Sequence, residues 1–200
     1  MTGWKEQLLT EHRAPSTINT ALAALNGLFR FLGWEDCRAK FLKIQRRIFR
    51  DQSRELARAD YDRLVSTAKA RGQDRLTLLL ETICATGIRV SELKFITVEA
   101  VQTGRAEIAN KGKRRTVFLP DKLRRLLRTY LQAQKKTAQP ADVKNPVFTT
   151  RTGRPLDRSN IWRDMKKLCD SAGVEPGKVF PHNLRHLFAR AFYQASRDVV

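Results

Sequence analysis

In the opening stretch of the chain, apolar residues recur every three or four positions and then lose their rhythm. In "PSTINTALAALNGLFRFLG" the residues Ile18, Leu22, Leu25, Phe29 and Leu32 share one helical stripe, with Ser16 or Thr17 as the expected N-cap and Gly33 as the stop. The stripe needs a partner, and the shorter run "GWKEQLLTEH" ahead of it can supply only a short one. From Arg38 to Arg54 the pattern gives way to "RAKFLKIQRRIFRDQSR", with seven basic residues and one acidic. That density of charge reads as a basic linker, with a domain boundary near 50–54. The alternative is an ordinary solvated helix with Phe41, Ile44 and Ile48 turned inward.

Periodicity returns at Arg58–Ala70, where Tyr61, Leu64, Val65 and Ala68 form a stripe. The next run, "RLTLLLETICAT", is apolar nearly all round and ends at Gly87, so it predicts a central helix. "RVSELKFI" reads as a short helix, and "RAEIANKGKRRTVFLP" as two strand-forming runs around a Lys-Gly-Lys turn. "DKLRRLLRTYLQAQKK" is a helix with Leu123, Leu126, Leu127, Tyr130 and Leu131 on one side. "QPADVKNP" is loop, "VFTTRTGRPL" a strand and turn, "SNIWRDMKKLCDSAG" a helix stopped by Gly173, and "PHNLRHLFARAFYQAS" the last helix. The predicted fold class is mainly α with a small antiparallel β element. Residues 1–50 form a partial helical domain with its basic linker, and residues 54–200 form the main domain.

Composition narrows the setting. Two hundred residues at 42% hydrophobic can bury one full core and a smaller second one. No apolar run reaches the 18 or so residues of a membrane span, and "MTGWKEQLLTEHR" lacks the build of a signal peptide, so the expected location is cytoplasmic. Cys37, Cys84 and Cys169 are far apart and are expected to be buried thiols, neither disulfides nor a zinc site. Charge changes the picture most: 39 Lys and Arg against 20 Asp and Glu give +19. Such a surplus suits a polyanion whose counterions are released on binding, and double-stranded DNA is the leading partner. An anionic membrane is the rival, but the basic residues are spread over many helices and interleaved with acidic ones.

Candidate chemistry sits on the last helix. At 100° per residue His182, Arg185 and His186 share one face of "PHNLRHLFARAF", and Leu184, Leu187, Phe188 and Ala191 share the other. The polar face could be a metal site, a phosphate site or a solvated surface with His182 capping the helix. Metal is disfavoured because Asn183 stands where a zincin needs Glu and because Arg185 is a permanent cation. A phosphate suits the cluster, since a guanidinium offers two parallel donors and an imidazole a third. Arg89 in "TGIRVSEL" lies at the expected start of a helix, where an anion is favoured, and Lys111 in "NKGKRR" at a hairpin tip.

These stretches together, "ATGIRVSEL", "NKGKRR" and "PHNLRH", resemble in order and spacing the motifs of the tyrosine recombinases, or phage-type integrases of phages and other mobile elements. The resemblance runs from about Arg54 to Val200, and "STINTALAALNGLFRFL" is similar to the last long helix of the family's core-binding domain. It implies the family's catalytic-domain fold, no metal or other cofactor, and site-specific DNA recombination through a 3′-phosphotyrosyl intermediate. Arg89 and Arg185 would hold the scissile phosphate, His182 would hydrogen-bond it and assist proton transfer, and Lys111 would protonate the departing 5′ oxygen. Glu92 resembles the family's supporting acidic residue, with a surface carboxylate as its alternative. Lys43, Arg46, Arg47, Arg50, Lys113 and Arg114 are the expected DNA contacts. The family also carries an "LGH" segment and a nucleophilic Tyr after the second Arg, and neither follows here, so the chain is expected to be a fragment that binds DNA without cutting it. Tyr193, eight residues past Arg185, is not expected to substitute. The whole protein would be tetrameric on paired sites, and this chain mainly monomeric off DNA. Two alternatives remain: a non-cleaving DNA-binding regulator derived from the same family, and a type IB topoisomerase, which shares the catalytic logic.

Overall fold

A computed structural model describes residues 2–44, 54–110, 112–135, 143–150 and 152–196. The chain divides into two compact units, Met1–Arg50 and Asp51–Val200. Among the described residues no helix is long and apolar enough to cross a membrane.

The first unit holds α1 (Thr2–Thr10) and α2 (Pro15–Phe31). Helix α2 starts one or two residues before the expected cap: Pro15 occupies the first turn and Ala14 is the N-cap, with no side-chain cap bond. Proline is preset for that position, having the right φ and no N–H to orphan. Of the predicted stripe Ile18 and Leu22 are buried, whereas Leu32 is exposed. Residues 38–44 are not helical, which overturns the solvated-helix alternative for that part. Phe41 and Ile44 are exposed, and Ile48 lies outside the described residues. The segment is held along α2 by two asparagines. Asn26 accepts from the Ala39 N–H and donates to the Ala39 carbonyl, both at 2.9 Å. Asn19 does the same for Leu42, at 2.8 and 2.9 Å. Two helical turns and three extended residues each span roughly 10 Å, so the pairs fall into register.

The second unit is built around α4 (Asp74–Thr86), which packs against α3 (Arg58–Ala70), α6 (Asp121–Lys135), α7 (Arg158–Ala172) and α8 (Pro181–Ser196). Its apolar circumference explains that position: Leu76, Leu78, Leu79, Leu80 and Ile83 are all buried. Each contributes about 1.5–3 kcal/mol relative to exposure. Buried Thr82 satisfies its hydroxyl on the Leu78 carbonyl at 2.7 Å. After α4 come a 3-10 turn (Val90–Phe95), the short α5 (Val98–Thr103) and an antiparallel hairpin of β1 (Arg105–Asn110) and β2 (Lys113–Phe118). The helical reading of "RVSELKFI" is corrected to a 3-10 turn, and α5 is an element the periodicity did not single out. "VFTTRTGRPL" forms a turn closed by the isolated bridge Thr149–Pro155, so the predicted strand is reduced to that bridge. Of the three thiols only Cys169 is buried; Cys84 is half-buried, and Cys37 is exposed on a surface turn at Glu35–Cys37.

Candidate functional site

The site begins where α4 stops. Gly87 is left-handed (φ 63°), and its N–H closes the helix on the Ile83 carbonyl at 2.9 Å. A Cβ there would run into the ring of Phe188, so glycine is what lets the end of α4 press against α8. On α8, three residues before Phe188, Arg185 donates from Nη1 to the Gly87 carbonyl. Two stretches that are 98 positions apart are thereby joined.

Arg89 follows with an extended backbone as N-cap of the 3-10 turn. Its own N–H donates to Glu92 Oε2 at 2.8 Å and its Nη1 to Glu92 Oε1 at 3.1 Å. This corrects two expectations. The short α-helix expected to offer its dipole at Arg89 is a 3-10 turn, and the backbone donor there is taken by Glu92. And Glu92 is no surface carboxylate, since only 1% of it is exposed. A second guanidinium reaches it from the hairpin: Arg115 Nη2 donates to Glu92 Oε2 at 2.6 Å. Burial by itself would push the Glu92 carboxyl up, but the bonds from Arg89 and the charges of Arg115 and Arg89 outweigh it and hold the group below its ordinary value.

Arg185 is half-buried, and that burial, reinforced by the charges of Arg89 and Arg115, depresses its pKa from the ordinary value, while Glu92 opposes the shift. Three guanidiniums thus feel one another around a single carboxylate, an arrangement with spare positive charge for an anion. His182 is the second residue of α8, exposed and one turn before Arg185 on the same face. It does not cap the helix, because the helix already begins at Pro181 and His182 lies inside it. The His182 ring stands edge-on to His186 at 4.9 Å between centroids. Of the apolar side of the wheel, Leu184 and Leu187 are buried, while Ala191 is exposed.

Beside Arg89 opens a cleft of ≈ 700 Å³ walled by Ser91, Asn110, Lys113, Arg114 and Arg115 over Glu92 and Ile108. The hairpin therefore brings Lys113 and Arg114 to the same place as Arg89. Lys111 lies outside the described residues, as do Arg46, Arg47 and Arg50. Lys43 is exposed at the end of the extended segment of the first unit.

Two residues escaped the sequence reading. Arg115 had a signal: in β2 it is in phase with Val117 and opposite buried Ile108, a phase in which a charge stands out. Asn183 is buried, and its Nδ2 donates to the carbonyls of Arg54 (2.7 Å) and Lys178 (2.8 Å). It fixes the start of α8, and hence the helix turn that presents His182 and Arg185. No local pattern announced it.

The model of the phage integrase family matches residues 54–200. Among curated relatives, tyrosine recombinase XerD of Vibrio cholerae is 27% identical over 204 residues, covering 98% of this chain and 68% of that protein. XerD of Staphylococcus saprophyticus is 35% identical over 135 residues, covering 66% of this chain and 45% of that protein. Among solved structures, XerH recombinase bound to its difH substrate in a pre-cleavage complex aligns with a TM-score of 0.69 at 22% identity, over 96% of this chain and 58% of XerH. A lambda integrase dimer bound to a COC′ core site aligns at 0.70 and 17%, over 97% and 72%. At these identities the structural likeness establishes the fold, that of tyrosine recombinase catalytic domains.

Proposed function

This chain belongs to the phage integrase family, and on that premise we propose that it is the DNA-binding, phosphate-activating part of a site-specific tyrosine recombinase. The observation that carries the reading is the meeting of Arg185 with the Arg89 turn: a guanidinium on the Gly87 carbonyl, two residues from Arg89, which itself lines a cleft rich in cations. One phosphodiester between them would exchange its charge for the mutual repulsion of the two arginines. During attack at phosphorus, charge builds on the non-bridging oxygens, and two fixed guanidiniums stabilise that state more than the ground state. His182 would bond the same phosphate, and Lys111 would protonate the departing 5′ oxygen. The basic segment through Lys43, Arg46, Arg47 and Arg50 would follow the duplex backbone, giving residues 1–50 a core-binding role.

These 200 residues bind and polarise the phosphate without cleaving. Three tyrosines are present. Tyr61 is buried in α3, Tyr130 is half-buried in α6, and Tyr193 is exposed two helical turns beyond Arg185, about 12 Å along the axis. None is poised to attack a phosphate held at Arg89 and Arg185. The chain alone would be mainly monomeric off DNA. The test is duplex binding across a salt series. Affinity should fall with a log–log slope of about −0.9 for every phosphate neutralised, and Arg89→Ala should lower that slope by about one phosphate. A flat response would defeat the reading. No denaturation-resistant adduct should form on a nicked suicide duplex, and one abolished by Tyr193→Phe would overturn the non-cleaving assignment.

A further inference from the structure

We infer that Arg115 is a positioning residue, acting through Glu92 to keep Arg89 available to a phosphate; the inference rests on the phosphate-site reading above. Glu92 is a buried carboxylate held by two guanidiniums from different elements, Arg89 from its own turn and Arg115 from β2. Its side chain is 2% exposed, while those of Arg89 and Arg115 are 58% and 45% exposed. A buried carboxylate demands full compensation. With Arg115 in place the demand is shared: Arg89 gives its N–H and one Nη1 bond, and more than half of its side-chain surface stays open to the cleft. Without Arg115, Glu92 has lost its shortest charged bond, at 2.6 Å. The Arg89 guanidinium is the charge nearest to replace it. It is drawn inward onto the carboxylate, and a phosphate must then compete with Glu92 for the same donors.

The same bond ties the hairpin to the turn. Arg115 stands opposite Ile108 and two residues before Val117, so its backbone is fixed by the packed face of the sheet while its tip reaches Glu92. The position of Arg89 and that of the strand carrying Lys113 are set by one carboxylate. This explains why an arginine occupies a phase of β2 that packing alone would fill with an apolar side chain.

The test is a double-mutant cycle on the whole chain with inorganic phosphate as the probe, followed by the NMR signals of the arginine Nε–H groups. In the unsubstituted chain the Arg89 and Arg185 signals should move together on titration. Arg115→Ala should weaken phosphate on the order of tenfold, within the range of coupling between contacting residues, and Arg115→Lys should recover part of the loss. In a Glu92→Gln background the neutral amide no longer draws Arg89 inward, so removing Arg115 should change the affinity less than twofold. Equal losses in the two backgrounds would mean that Arg115 meets the anion directly, and would overturn the inference. So would an Arg115→Lys chain that folds and binds no better than Arg115→Ala. If Arg89 and Arg185 do not respond in the unsubstituted chain, the phosphate-site reading itself fails and the inference falls with it.

Discussion

Glu92 shows how one residue's surroundings decide its chemistry. In "RVSEL" it reads as easily as a solvated carboxylate as a supporting one, because three-residue spacing to Arg89 is compatible with both. What separates the readings is the depth of the turn and the arrival of Arg115 from the hairpin, neither of which is local. Its folded-state pKa lies below the ordinary 4.5. Ionised Glu92 therefore stabilises the fold above the carboxylate range, and the contribution is lost as pH falls through the depressed value. Urea melts from pH 7 down to 3 should show the unsubstituted chain well above Glu92→Gln at neutral pH and the gap closing toward the acid end; a gap independent of pH would contradict the assignment. Gly87 is the other deciding residue. Gly87→Ala combines a left-handed backbone with a collision against Phe188 and should cost about 2–4 kcal/mol in denaturant stability. It should also weaken phosphate binding, since the Arg185 anchor is the carbonyl of the same residue.

At the scale of elements, legibility followed the kind of force involved. Helices α3, α4 and α7 were readable in the sequence because burial alone shapes them, and Gly87 and Gly173 mark two of their ends with left-handed backbone. The hairpin was readable from its turn and β-branched runs. The segment after α2 was not. Its seven basic residues spoke of a linker, yet residues 38–44 are held by Asn19 and Asn26, whose amides imitate the edge of a strand. Within a helical stripe, asparagine one way round and asparagine facing solvent look the same. Asn26→Ala should therefore destabilise the first unit by about 1–3 kcal/mol, leaving both Ala39 backbone groups without their partner. Limited proteolysis should then cut at 38–42 sooner than in the unsubstituted chain, and unchanged cleavage would mean the clamp does not hold the segment. For Arg89 the dipole reason was not the operative one: the turn after it is 3-10 and its donor belongs to Glu92.

For the molecule as a whole, the +19 charge and the family motifs pointed the same way, and what they could not supply was the geometry joining them. Arg89 and Arg185 are joined only because α8 crosses the end of α4 at a glycine, and Asn183 and Arg115 set that geometry from elements distant in the chain. A basic chain without this convergence would bind DNA as a polyelectrolyte. With it, on the function proposed above, one backbone phosphate would be singled out from the rest. The most direct measurement is a crystal structure of the chain on a short duplex. The expected result is a single phosphate with non-bridging oxygens within hydrogen-bond reach of both Arg89 and Arg185, and His182 on the same group. A duplex held by the basic segments alone, with the two arginines on different phosphates or on none, would contradict it.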